Sequence, residues 1–215
     1  MTNNISSLFA ESLNELDLTE KQKAVLRASL TLFSEKGFEN TTTGDIARMA
    51  GVGEGTVYKQ FKTKEQLLKT IITPAIEQVI PKVVNEFVDT VTGEEKLSFA
   101  EFLHDVVQNR LEFASDNLPQ LRIFAREILI NPKVKSQLKN EIHELLKGKL
   151  KQSLEYYQQQ GQVVAWPASR IFRYFAGTFA SYVFPAILDS DREINVVQVS
   201  HEATEFLLKG LAPKK

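Results

Sequence analysis

The chain has 215 residues, 43% of them hydrophobic and 25% charged, which gives it material for a substantial core and excludes a low-hydrophobicity disordered chain. It holds no cysteine, so disulfides, thiolate metal centres and cysteine nucleophiles are excluded. The net charge of −1 says nothing about nucleic acid; its distribution says more, because residues 19–69 carry nine Lys/Arg against six Asp/Glu.

Helical periodicity runs nearly throughout, and the expected fold class is all-α. Residues 1–18 read as an arm, frayed or briefly helical, without the basic start and apolar run of a secretory signal. The first firm helix spans about Thr19 to Lys36, with Thr19 and Gln22 as a capping box and Val25, Leu26, Ser29, Leu30, Leu32 and Phe33 on its buried side. Gly37 stops it; with Gly37 in the left-handed region, Phe38 folds back on Phe33. A second helix begins at Thr42, where Asp45 completes the cap, and Ile46, Ala47 and Ala50 form its apolar side. Gly51-Val52-Gly53 reads as a tight turn, with Val52 plugging the core. A short helix follows from Glu54 to Gln60, with Val57 and Phe61 pointing inward, and Thr63 with Gln66 caps a fourth at Lys64.

Further on, the helix from Lys64 runs through the seventies, with Pro74 and Pro81 marking kinks or a break. Others are expected at about Ser98 to Ser115, Pro119 to Ile130, Pro132 to Gln160, Ala168 to Leu188 and Glu193 to Leu211. In the segment 132–160, Val134, Leu138, Ile142, Leu145, Leu146, Leu150, Leu154 and Tyr157 hold one face, and Gly161 ends it. The apolar stretch Ile171 to Leu188 is broken by Arg173 and Pro185, which suits a buried or interface helix better than a membrane span.

Residues 23–68 read KAVLRASLTLFSEKGFENTTTGDIARMAGVGEGTVYKQFKTKEQLL. This segment resembles the DNA-binding domain of the TetR (tetracycline-repressor-like) family. The landmarks are Leu32-Phe33, Gly37-Phe38, Thr42-Thr43 before Asp45-Ile46-Ala47, Ala50-Gly51-Val52, Gly55-Thr56-Val57-Tyr58, Phe61, and Lys64-Glu65 before Leu67-Leu68. The physics agrees: a helix-turn-helix needs a small residue at the helix crossing, a glycine in the turn and an apolar plug, and Ala47, Gly51 and Val52 supply them. The resemblance implies three parts: an arm at residues 1–18, a helix-turn-helix domain at 19–69, and an effector-binding and dimerisation domain at 70–215.

The resemblance further implies that residues 54–60 lie in the major groove. Thr42, Thr43, Tyr58, Gln60 and Lys64 would then contact phosphates, while Glu54, Thr56 and Lys59 approach base edges; Gly53 and Val57 complete the expected DNA-binding set. The bland readings are a core aromatic for Tyr58 and a solvated face for Lys59, Lys62 and Lys64. The sequence departs from the family where Gly53 replaces the usual serine cap and where Glu54 brings a carboxylate. Glu54 either accepts from cytosine N4 or is a cap-region charge.

For the larger domain, the resemblance implies a homodimer, double-stranded pseudo-palindromic operator DNA and a small-molecule effector. Ala176, Gly177, Ala180 and Ser181 permit close approach of a partner helix; the alternative is an intrachain core helix. Phe102, Phe113, Phe124, Phe172, Phe175 and Phe179 suggest an apolar effector pocket, against the alternative of ordinary core aromatics, and Arg110, Arg122 and Arg126 are either cations for an anionic group or, as the usual fate of arginines, surface charges. Glu101-x-x-His104 has no second such pair, so no metal and no cofactor are expected. No nucleophile elbow, phosphate loop or catalytic constellation is legible, and a cytoplasmic regulator, by default a repressor, is expected rather than an enzyme. The rival reading is a helix-turn-helix protein turned into a protein-interaction module, with Glu54 and the modest basic excess as its support.

Overall fold

A computed structural model describes residues 4–92, 98–189 and 191–213. Among these, twelve α-helices and one π-helical segment account for the regular structure. The chain forms two compact units: residues 4–82 with 119–137, and residues 83–118 with 138–213.

In the first unit, α1 (Ile5–Asn14) occupies most of the segment expected to be an arm. Asn4 caps it, and Ile5, Leu8, Phe9 and Leu13 are buried, so it belongs to the core. In α2 (Glu20–Lys36) the capping box of Thr19 and Gln22 is closed in both directions. Ser29 and Ser34 are buried there because their hydroxyls donate back to the Val25 and Leu30 carbonyls. Gly37 has φ 81° but ψ 156°, outside the left-handed helical basin expected for it. The return contact forms nonetheless, with the Phe33 and Phe38 rings 5.1 Å apart.

Next, α3 (Thr43–Ala50) is capped by Thr42 and Asp45. Gly51 takes φ 65°, ψ 33°, and Val52 N–H reaches Ala47 O at 3.0 Å, the bond that closes a left-handed helix stop. The short α4 (Glu54–Gln60) and α5 (Lys64–Pro74) follow. The buried side chains of Val25, Leu26, Phe33, Ile46, Val57, Phe61 and Leu67 form the centre.

Pro74 does not break the rod. It is followed by a π turn, Ala75–Val79, and then by α6 (Ile80–Thr92). Pro81, in α6, lacks the N–H that would bond one turn back and crowds the carbonyl of Glu77; the wider π turn, which contains Glu77, is where the helix accommodates this. Residues 119–137 return to the first unit, most of them in α8 (Leu118–Ile130). There Gln120 donates to Ser6, and the Arg126 guanidinium lies 5.1 Å over the Phe38 ring.

The second unit is built on α7 (Phe99–Asp116), α10 (Lys149–Gln159), α11 (Ala168–Leu188) and α12 (Val196–Leu211). Phe99, Phe102, Val107 and Leu111 of α7 are buried, as are Ala203, Leu207 and Leu211 of α12, the helix it packs against. Tyr157 meets the Phe99 ring at 5.6 Å and the Phe102 ring at 5.3 Å.

One expected helix is two. The segment 132–160 divides into α9 (Pro132–Leu145) and α10, broken at Gly148, which N-caps the second piece. Gly161 ends α10 at φ 67°, with Gln162 N–H bonded to Tyr157 O at 3.0 Å.

Candidate nucleic-acid interface and effector cavity

Four helices position the candidate DNA surface. Ile46 and Ala47 bury one side of α3, while Val57 is fully buried and fixes α4 against the same core. Val57 therefore leaves the expected DNA-binding set: its side chain faces inward, and Phe61 four residues on does the same. The opposite face of α4 carries Glu54, Gly55, Tyr58 and Lys59, all exposed. Tyr58 is 52% exposed, which rules out the core-aromatic reading.

The hydroxyls expected to grip phosphate already have partners. Thr42 Oγ1 donates to Asp45 Oδ2 at 2.9 Å and accepts from Asp45 N–H at 3.1 Å. These bonds from Thr42 are the main cause that holds the Asp45 carboxyl below its usual value; Lys36 and Arg48 add to it. Thr43 Oγ1 lies 2.8 Å from Glu54 Oε1 and 3.1 Å from Tyr58 Oη. Lys64 Nζ donates to the carbonyls of Phe38, at 2.9 Å, and Glu39, and sits over the Phe38 ring. Lys64 thus also ties α5 to the loop before α3. Gln60 is half-buried, with Oε1 enclosed and unpartnered, and Thr56 is half-buried beside Gly53.

The second unit contains a cavity of about 80 Å³ lined almost entirely by carbon. Phe102, Phe172 and Phe175 line it, together with Phe87, Phe99, Leu103, Val106, Leu145, Leu146, Leu150, Leu154, Ala168, Ile171 and the stem of Lys151. Three of the expected pocket phenylalanines lie elsewhere. Phe124 is buried in the first unit, on α8. Phe113 stacks under Arg110, and Phe179 borders a second void of only about 10 Å³. The leucines of α9 and α10 were missed because they read as an ordinary amphipathic face.

Behind the cavity wall, the Arg110 guanidinium lies 4.0 Å over the Phe87 ring and 5.0 Å over Phe113. It donates to Asn109 Oδ1, and among the described residues no carboxylate pairs with it. Burial lowers its pKa to about 10, so it stays charged at neutral pH. Of the other two cations, Arg126 is engaged with Phe38. Arg122 likewise has an interaction partner.

Apart from Met49 of α3, Leu129 and Ile130 of α8 and Tyr156 of α10, the large exposed apolar side chains outside α4 lie on α11 and α12 among the described residues. On α11, Tyr174, Gly177, Ser181, Phe184 and Leu188 recur at alternating steps of three and four, and all are exposed, Leu188 at 72%. Ala180 beside them is exposed and Ala176 half-buried. Phe206 of α12 is 67% exposed and, with Arg173, Tyr174, Gly177, Thr178, Ser181 and Tyr182, lines a shallow groove of about 460 Å³. By length and composition α11 would also pass for a membrane span.

Residues 25–71 match the family model described as bacterial regulatory proteins, tetR family. The chain carries a TetR-family DNA-binding domain over these residues. It is a DNA-binding transcriptional regulator, and TetR-family regulators bind operator DNA as homodimers and respond to small-molecule effectors. Over nearly its whole length the chain is similar to the fatty acid metabolism regulator protein of Bacillus subtilis (strain 168), at 24% identity over 199 residues, 90% of this chain and 97% of that one. Among solved structures, FadR from Bacillus subtilis in complex with stearoyl-CoA superposes with a TM-score of 0.60 at 20% identity, covering 87% and 97% of the two chains. A putative regulator from Saccharomonospora viridis in complex with choline gives 0.68 at 15% identity, covering 92% and 100%. These last two likenesses concern the TetR fold.

Proposed function

We propose that this TetR-family regulator is a cytoplasmic repressor, without enzymatic activity, that releases its operator when a long-chain acyl compound with an anionic head group enters the second unit. The observation that carries this reading is the carbon-lined cavity with a half-buried guanidinium, paired with no carboxylate among the described residues, stacked on Phe87 of its wall. Apolar walls favour an alkyl chain, and Arg110, with Lys151 at the lining, favours an anion at its end. Similarity to fatty acid metabolism regulators supports the same class. A cationic effector such as choline fits poorly, since it needs aromatic faces free of competing positive charge.

At about 80 Å³ the cavity is smaller than the roughly 300–1,000 Å³ of ordinary ligand sites. A long chain therefore has to part α7, α10 and α11, and that expansion is the source of the differential affinity that release requires.

On the DNA side, Tyr58, Thr42, Thr43, Gln60 and Lys64 grip backbone phosphates, while Glu54, Thr56 and Lys59 face base edges from α4, with Gly53 letting the backbone approach. The exposed stripe on α11 receives a second copy of the chain, with Gly177, Ala180 and Ser181 at its closest approach and Ala176 at its margin. The protein-interaction reading gains nothing here, because Tyr58 and Lys59 remain exposed rather than sealed into an apolar surface.

The deciding experiment selects an operator from a randomised duplex library, then titrates the complex with stearoyl-CoA, palmitate and choline. Release by the acyl compounds and not by choline is expected. Leu150→Trp, which fills the cavity, should give a repressor that binds operator but ignores acyl ligands, and Arg110→Ala should weaken the response about tenfold or more. Tyr58→Ala should abolish operator binding without unfolding. Release by choline alone would overturn the effector class; failure to select any duplex would overturn the regulator reading.

A further inference from the structure

Glu54 has a partner that the sequence does not suggest for it. Its carboxylate does not simply sit at the start of its own helix. It reaches across to α3, where Oε1 meets Thr43 Oγ1 at 2.8 Å. Both carboxylate oxygens lie 3.7 Å from the place a Gly44 Cβ would take, so the carboxylate lies against the first turn of α3.

The proton count fixes the direction of the network. A hydroxyl has one proton, and an ionised carboxylate only accepts. Thr43 must therefore donate to Glu54, and its contact with Tyr58 Oη at 3.1 Å is then filled by the Tyr58 proton. Tyr58 donates to Thr43, and Thr43 donates to Glu54. Both hydroxyl protons that would grip phosphate point inward, and the position beside the first turn of α3 already holds an anion. That turn presents backbone N–H groups at the positive end of a helix, the kind of place where a DNA phosphate binds.

We propose that Glu54 is a selectivity gate for the DNA surface: in the free protein its carboxylate stands in for a backbone phosphate and occupies the Thr43–Tyr58 donors. A phosphate on any sequence must displace it, and repulsion between the two anions penalises that contact. A duplex presenting an exocyclic amine, on cytosine or adenine, opposite the start of α4 gives the displaced carboxylate a new donor. Release of the hydroxyls to phosphate is thereby tied to the base met by Glu54. Weak binding to random DNA and strong binding to the operator then come from one residue. This inference rests on the DNA contacts proposed above.

The test compares wild type, Glu54→Gln, Thr43→Val and the double variant on the selected operator and on a scrambled duplex across a salt series. Glu54→Gln keeps the shape, loses the charge and is exposed, so its thermal melt should match wild type. Its affinity for scrambled DNA should rise about tenfold, its operator affinity should rise less or fall, and its salt slope on scrambled DNA should steepen by about 0.9, one further phosphate. In the Thr43→Val background the Glu54→Gln gain should shrink several-fold. Unchanged scrambled-DNA affinity in Glu54→Gln, or a gain equally large in the Thr43→Val background, would overturn the gate. Wild-type protein that prefers no duplex at all would instead overturn the DNA-contact reading on which it stands.

Discussion

Thr42 and Asp45 close the start of α3 in both directions, and the charge of Asp45 is what makes that closure sensitive to acid. A carboxyl held below its ordinary value in the folded protein contributes stability that is complete above the unfolded value and is lost as pH falls through the folded one. Thr42→Ala should cost about 1 kcal/mol near neutrality. The gap in Tm between wild type and Asp45→Asn should be present at about pH 6 and shrink as pH falls below the ordinary carboxylate value of 3.8. A gap that stayed constant across that range would assign the effect to side-chain shape rather than charge. At the same scale, Tyr58 and Val57 are neighbours with opposite fates, one 52% exposed and one wholly buried, because consecutive helical positions lie about 100° apart.

Among the elements, Phe38 is where three helices meet: Phe33 of α2, Lys64 of α5 and Arg126 of α8 all contact its ring. Removing the cation from α8 with Arg126→Ala should destabilise the first unit by about 0.5–1 kcal/mol in chemical denaturation, with Arg126→Lys restoring part of it. An unchanged midpoint would show that the stacking contributes nothing in solution. The helices α2, α3 and α11 were legible in the sequence because their signals are local: a capping box at Thr19, another at Thr42, an apolar run closed by charge. Gly148 was overlooked because the apolar spacing of Leu145, Leu146 and Leu150 continues in phase across the break. The π turn has no signature beyond the prolines on either side of it, Pro74 and Pro81, and the attachment of α8 to the helix-turn-helix depends on contacts about ninety residues apart in the chain. For the sites, the TetR-type motif pointed to a surface of α4 that the fold leaves exposed. It could not show where the carboxylate of Glu54 goes, since that depends on Thr43 of another helix.

For the whole molecule, the stripe on α11 is the proposed dimer face. Aromatic and aliphatic side chains at steps of three and four, with glycine and serine between them, suit a helix that meets a copy of itself closely. Phe184→Asp should shift the protein to monomer in analytical ultracentrifugation and weaken operator binding by about 100-fold or more, since two half-sites would no longer be engaged together. A dimer that survived Phe184→Asp would move the interface elsewhere.

The first unit is discontinuous, and that limits how this regulator can be taken apart. Residues 4–82 are completed by residues 119–137, through Gln120 on Ser6 and Arg126 on Phe38. A fragment cut after residue 82 would carry every side chain proposed to contact DNA yet lose these supports. The operator-reading half is therefore not a detachable cassette. A chimaera that grafts it onto a foreign sensor must bring α8 along, or rebuild in the new host the helix that α1 and Phe38 rest against.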